Sequence, residues 1–154
     1  MKNKINDTID GTCVEVEGIG VLFRGPTGCG KSDLALRLID EGAKLISDDY
    51  TEISNENFIL VAQAPKNIRG LLEIRGIGVV KIKSNYRVKL SAIINLVKLD
   101  QIERMPEEGK VNLCNVNIPV FFLNAYEASS VAKVRIIIRK IKGDITLATQ
   151  DFKP

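Results

Sequence analysis

The chain has 154 residues, 45% hydrophobic and 27% charged, with a formal net charge of +3, which suits one core of the ~100–200-residue class that needs neither disulfide nor structural metal. Its weak, dispersed positive charge speaks against a nucleic-acid binder, which would cluster Lys and Arg among aromatics. Histidine is absent altogether, excluding histidine metal sites, serine–histidine hydrolysis and imidazole acid–base chemistry, so proton transfer near neutrality falls to carboxylate, lysine, tyrosine or cysteine.

In chain order, residues 1–10 are polar and expected to fray, leaving a single domain over 1–154. The runs at 12–17 and 21–24 read as strands joined through the turn Gly18-Ile19-Gly20. Apolar Leu34, Ala35, Leu38 and Ile39 recur at helical spacing from Lys31 to Glu41, and Gly42 sits where a helix C-terminus favours a left-handed residue. A short strand at 44–47 follows, then candidate strands at 57–63, 71–75, 77–83, 87–97 and 118–123. The last element, 126–141, reads as a helix, although RIIIRKI could also extend as a strand. VEVEGIGVL (14–22) and LEIRGIGVV (72–80) echo one another, and two hairpins with the same turn chemistry account for that more simply than a duplication. Cys13, Cys29 and Cys114 form neither a metal-ligand pattern nor a disulfide framework, so reduced thiols in a cytosol are expected. No apolar run approaches the ~18 residues of a membrane span, and MKNKINDTID is not a signal peptide. A soluble cytoplasmic protein without a membrane partner is the expectation.

Gly25-Pro26-Thr27-Gly28-Cys29-Gly30-Lys31-Ser32 fits the phosphate-loop pattern G-x-x-x-x-G-K-[ST]. Gly28 and Gly30 let backbone N–H groups turn toward phosphate oxygens, and the following helix adds its positive N-terminal end. Lys31 would reach the β- and γ-phosphates, and the Ser32 hydroxyl would meet Mg²⁺. A strand–helix–strand unit of this length predicts that 21–24 and 44–47 run parallel, bringing Asp48 and Asp49 out beside the loop. One carboxylate could hold magnesium through water while the other takes a proton from an attacking hydroxyl; alternatively, Asp-Asp merely opens a polar turn. Further on, Glu73 and Arg75 fall on one face of a short strand, with Leu72 and Ile74 on the other.

The loop GPTGCGKSDLALRLI, the LISDD after it and above all LEIRGIGVV resemble the catalytic domain of the bacterial HPr kinase/phosphorylase family. The likeness extends to IERMPE and EASSVAKVR, covers about Gly11 to Lys142, and is nearest to short forms without a separate N-terminal domain. It implies an α/β P-loop nucleotide-binding fold of the phosphoenolpyruvate carboxykinase-like type, a mixed sheet with few helices. It also implies transfer of the γ-phosphate of ATP, with Mg²⁺, to a serine of the phosphocarrier HPr or an HPr-like partner, and a hexameric homo-oligomer. By position, Gly25 to Ser32 would hold the nucleotide, and Asp48 and Asp49 would supply the base and water-mediated metal contacts. Ser32, Asp49 and Glu73 would serve the metal, Arg75 lies in the signature strand, and Arg104 matches a basic residue near the transferred phosphate. Where the family has a His-Gly pair, this chain has Asp10-Gly11, which leaves the reverse phosphorolysis open. A nucleotide-gated regulatory module without transfer and a small-molecule kinase are the competing readings.

Overall fold

The alternating apolar runs assemble, in the computed structural model, into a mixed sheet; residues 5–152 are described. The elements are β1 (Asp7–Asp10), β2 (Thr12–Val16), β3 (Ile19–Arg24), α1 (Lys31–Asp40), β4 (Lys44–Ser47), β5 (Tyr50–Glu56), β6 (Ile59–Gln63), β7 (Leu71–Ile74), β8 (Gly78–Lys81), β9 (Arg87–Leu96), β10 (Gly109–Leu113), β11 (Val116–Leu123) and α2 (Ser130–Lys142). Nine strands join in one sheet along the path β1-β5-β6-β9-β3-β2-β4, with β10 and β11 attached through β9. β9 is the seam. Its N-terminal part pairs antiparallel with β6 and its C-terminal part parallel with β11, while β3 runs parallel along its other side. β7 and β8 form a separate hairpin.

Strand alternation divides the core in two. Val14, Val21, Phe23 and Ile94 face α1 and α2, meeting Leu34, Leu38, Val134 and Ile138. Cys13, Leu22 and Ile93 face the opposite way, under Ile53, Leu60, Ala62 and Ile118. Leu90 and Ala92, two residues apart on β9, nevertheless belong to opposite cores. The register shift between Gly20 and Val21 explains this, because the extra residue Ser91 reverses the facing of everything after it.

Both helices end as glycine dictates. At α1, Ala43 N–H donates to Leu38 O (3.0 Å) and Gly42 N–H to Ile39 O (3.0 Å), with Gly42 at φ 110°. This pair of bonds is the Schellman arrangement, and Asp144 and Gly143 repeat it at α2. RIIIRKI is therefore helical, within a helix that starts at Ser130 rather than at 126.

Several expectations change. Residues 7–10 do not fray: β1 pairs antiparallel with β5, and Asn6 N–H donates to Ile53 O. Residues 1–4, the rest of that expected frayed start, lie outside the described residues. β3 and β4 do point the same way, but β2 lies between them, antiparallel to both. β5 and β10 were absent from the expected strands; their polar residues, as in TEISNE and GKVNL, mask the apolar alternation. The two echoing segments are both hairpins, yet their turns differ. Val16 faces Ile19 across a two-residue turn, whereas Ile74 faces Gly78 across three. Arg75 consequently leaves the strand and stands in the turn.

Candidate active site

The loop from Gly25 to Gly30 leaves the C-terminal end of β3 and enters α1. No side chain caps that helix, and among the described residues nothing accepts from the N–H groups of Gly28, Gly30, Lys31 or Ser32. Helix-end amides without partners, carrying the positive end of the helix dipole, form a ready anion cradle. Gly30 has φ 97°, and a Cβ there would lie 2.6 Å from the Ala125 Cβ, so only glycine fits. The Lys31 ammonium folds back to donate to Gly25 O (2.6 Å) and Pro26 O (3.2 Å), bonds an arriving phosphate would compete for. Pro26, Thr27 and Gly28 are exposed and Cys29 is half-buried.

Asp48, at the end of β4, is only 5% exposed. Its Oδ1 accepts from the Ser32 hydroxyl (2.7 Å) and the Thr12 hydroxyl (3.0 Å), and its Oδ2 from the Glu73 backbone N–H (3.3 Å). One carboxylate thus ties together the phosphate loop, β2 and the β7–β8 hairpin. Asp49 differs in every respect. Its side chain is exposed and accepts no hydrogen bond among the described residues, while its backbone takes φ 64°. Tyr50 N–H donates to Asp48 O (2.7 Å), closing a γ-turn of the rare positive-φ kind, and Gly11 N–H secures Asp49 O (2.7 Å). Strained backbone of this sort is characteristic of functional sites. Partial desolvation, followed by the charges of Asp48, Glu73 and Asp10, raises the Asp49 carboxyl from its ordinary value, with Lys31 opposing. Asp49, Glu73, Asp10 and Lys31 therefore share one electrostatic neighbourhood.

The remaining candidates are less engaged. Glu73 and Arg75 are exposed, and Arg104 lies in an exposed bend between β9 and β10; neither arginine forms an ion pair among the described residues. Also among those residues, no three His, Cys, Asp or Glu side chains converge on a metal position. Magnesium does not require such a cage, since it typically takes one or two carboxylates together with phosphate oxygens and water. Two participants escaped the sequence reading. Thr12 looked like an ordinary strand residue, and only the sheet brings its hydroxyl to Asp48. Tyr126 lies 98 positions from Gly28, to whose carbonyl its hydroxyl donates (2.7 Å), and no local pattern signals that contact.

Fold and site together define a class: an α/β domain in which a glycine-rich loop of the phosphate-loop pattern joins a central strand to a helix beside an acidic pair. The family model of the HPr Serine kinase C-terminal domain matches residues 3–152. The chain belongs to that family. It is 37% identical over 125 residues to the HPr kinase/phosphorylase of Lactobacillus acidophilus, covering 73% of this chain and 39% of that relative. Against the HPr kinase/phosphorylase of Chlorobium phaeobacteroides it is 31% identical over 137 residues, covering 80% of this chain and 42% of the relative. The chain thus spans well under half the length of these curated relatives. The solved structure of the Hpr(Ser) kinase/phosphatase from Coxiella burnetii superposes with a TM-score of 0.81 at 23% identity, covering 90% of this chain and 98% of that one, and so shares the fold. Among the described residues, no helix is long and apolar enough to cross a membrane.

Proposed function

We propose that this chain transfers the γ-phosphate of ATP, with magnesium, to a serine hydroxyl of HPr or an HPr-like phosphocarrier. The observation that carries this reading is the Ser32–Asp48 hydrogen bond, which couples the phosphate loop directly to the acidic pair. The amides of Gly28, Gly30, Lys31 and Ser32 and the Lys31 ammonium bind the phosphates. Bound magnesium would supply charge neutralisation at the β- and γ-oxygens, held by Ser32 and approached by Asp49 and Glu73. Asp48, with both oxygens engaged, orients Ser32. Asp49, with free lone pairs and a raised proton affinity, accepts the serine hydroxyl proton. The serine oxygen then bonds to the γ-phosphorus as the bond to the β–γ bridging oxygen breaks, and ADP leaves. Arg75 and Arg104 are exposed cations available to the transferred phosphoryl group.

Incubation of the purified protein with γ-labelled ATP, Mg²⁺ and HPr tests the proposal. Label on an HPr serine is the expected result; tight ATP binding without transfer would replace it with the regulatory-module reading, and label on a metabolite with the small-molecule kinase. Offering phosphoserine-HPr and inorganic phosphate assays the reverse direction in the same experiment. The same reading places the protein in the cytoplasm as a homo-oligomer, a hexamer by family likeness, which sedimentation would check.

A further inference from the structure

We propose that Tyr126 is a strap that holds the phosphate loop in its anion-accepting form, a positioning residue for the nucleotide. This inference rests on the reading that the loop binds ATP phosphates. The Gly28–Cys29 peptide is held at both ends: the Tyr126 hydroxyl donates to Gly28 O (2.7 Å), and Cys29 N–H donates to Pro26 O (3.1 Å). Among the described residues, no other hydrogen bond restrains Gly28. It has φ 85°, and a Cβ built on it would meet no atom within 4 Å, so packing does not oppose a flip of this peptide. Glycine tolerates both orientations at little cost. A flipped peptide would turn its carbonyl oxygen to where the Cys29 N–H now points, toward Pro26 O, breaking the turn that presents the neighbouring free N–H groups.

The strap is itself well anchored. Tyr126 N–H donates to Asn124 Oδ1 (2.9 Å), Asn124 Nδ2 to Val97 O (3.0 Å), and the Ser130 hydroxyl to Asn124 O (2.6 Å). Arg37 donates to Ala125 O from α1. The tyrosine ring lies beside Gly30, where a Cβ would come within 3.1 Å of its Cζ, so residues 124–126 bear on the loop at both glycines. Yet Tyr126 is 63% exposed and belongs to neither core cluster. Its hydroxyl therefore contributes to loop geometry rather than to global packing.

Tyr126→Phe deletes the hydroxyl and keeps the ring. Amide hydrogen exchange on the nucleotide-free protein should show the Cys29 amide, which is bonded to Pro26 O, exchanging about fivefold faster in this variant, with the amides of β3 and β9 unchanged, as expected for one lost hydrogen bond. For Mg-ATP, the Kd and KM should rise about fivefold with kcat near the wild-type value. The thermal midpoint should stay within about 1 °C, because the ring remains and the site is exposed. Unchanged Cys29 exchange, or a loss of affinity matched by faster exchange in β3 and β9 and a lower midpoint, would overturn the strap. The exchange measurement needs no nucleotide, so it decides the strap even where the wild-type protein binds no ATP, a result that would sink the proposed function instead.

Discussion

Asp48 and Asp49 are chemically identical neighbours with opposite environments, and the contrast predicts opposite consequences of substitution. Asp48→Ala would leave two hydroxyls and the Glu73 N–H without their shared acceptor. Leaving the buried Thr12 hydroxyl and the two part-buried donors unpaired should cost about 2–3 kcal/mol, read as a lower urea midpoint, whereas Asp48→Asn keeps a carbonyl acceptor and should cost about 1 kcal/mol. Asp49→Asn removes an unpartnered charge. It should leave ATP affinity within about twofold while phosphotransfer falls by two orders of magnitude or more, the range typical of a lost general base. Parallel losses of binding and transfer would show that Asp49 acts through the metal alone and not as the proton acceptor.

Among the elements, the junction between loop and helix is the most constrained. Gly30→Ala would drive a methyl against Ala125 and demand a left-handed backbone that alanine resists. The expected result is ATP binding weakened at least tenfold and about 2 kcal/mol of lost stability; intact binding would mean that Ala125 and Tyr126 can retreat. The echoing segments teach the same lesson about context. Their residues align position for position, but β2–β3 is clamped between β9 and β4, whereas β7–β8 stands apart and exposes Ile77 and Val79. Free of flanking strands, the second hairpin adopts a longer turn, and that places Arg75 outside the sheet.

Over the whole molecule, charge and burial make the fold sensitive to pH. The folded-state Asp49 carboxyl binds its proton more tightly than the unfolded one. Between the two pKa values the native state holds the extra proton, so stability falls as pH rises through that window and the loss persists at neutrality. Asp49→Asn should therefore raise the metal-free thermal midpoint at pH 7 by about 1–2 °C, modest because the side chain is exposed and screened. The gain should vanish below about pH 3.9, where the carboxyl is protonated in both states. The core also sorts the thiols. Burial, with Glu15 nearby, pushes the fully enclosed Cys13 thiol far upward. Cys13 should stay unlabelled by a thiol reagent until the protein unfolds, while half-buried Cys29 reacts and Mg-ATP protects it.

What the amino-acid sequence alone determined is local: the glycine-rich loop of the phosphate-loop pattern, the helix after it, the glycine stop at Gly42, and the emergence of Asp48 beside Ser32. Each follows from backbone rules acting within about 25 residues. The tertiary structure decided what depends on distant partners. β2 enters between β3 and β4, β1 is ordered by β5, Ser91 reverses a strand's facing, and Tyr126 reaches Gly28 across the chain. Whether Asp48 or Asp49 becomes the buried anchor was likewise undecidable from two adjacent identical letters. Hydrogen-bond donors contributed by three separate elements make that choice, and they meet only once the sheet has closed.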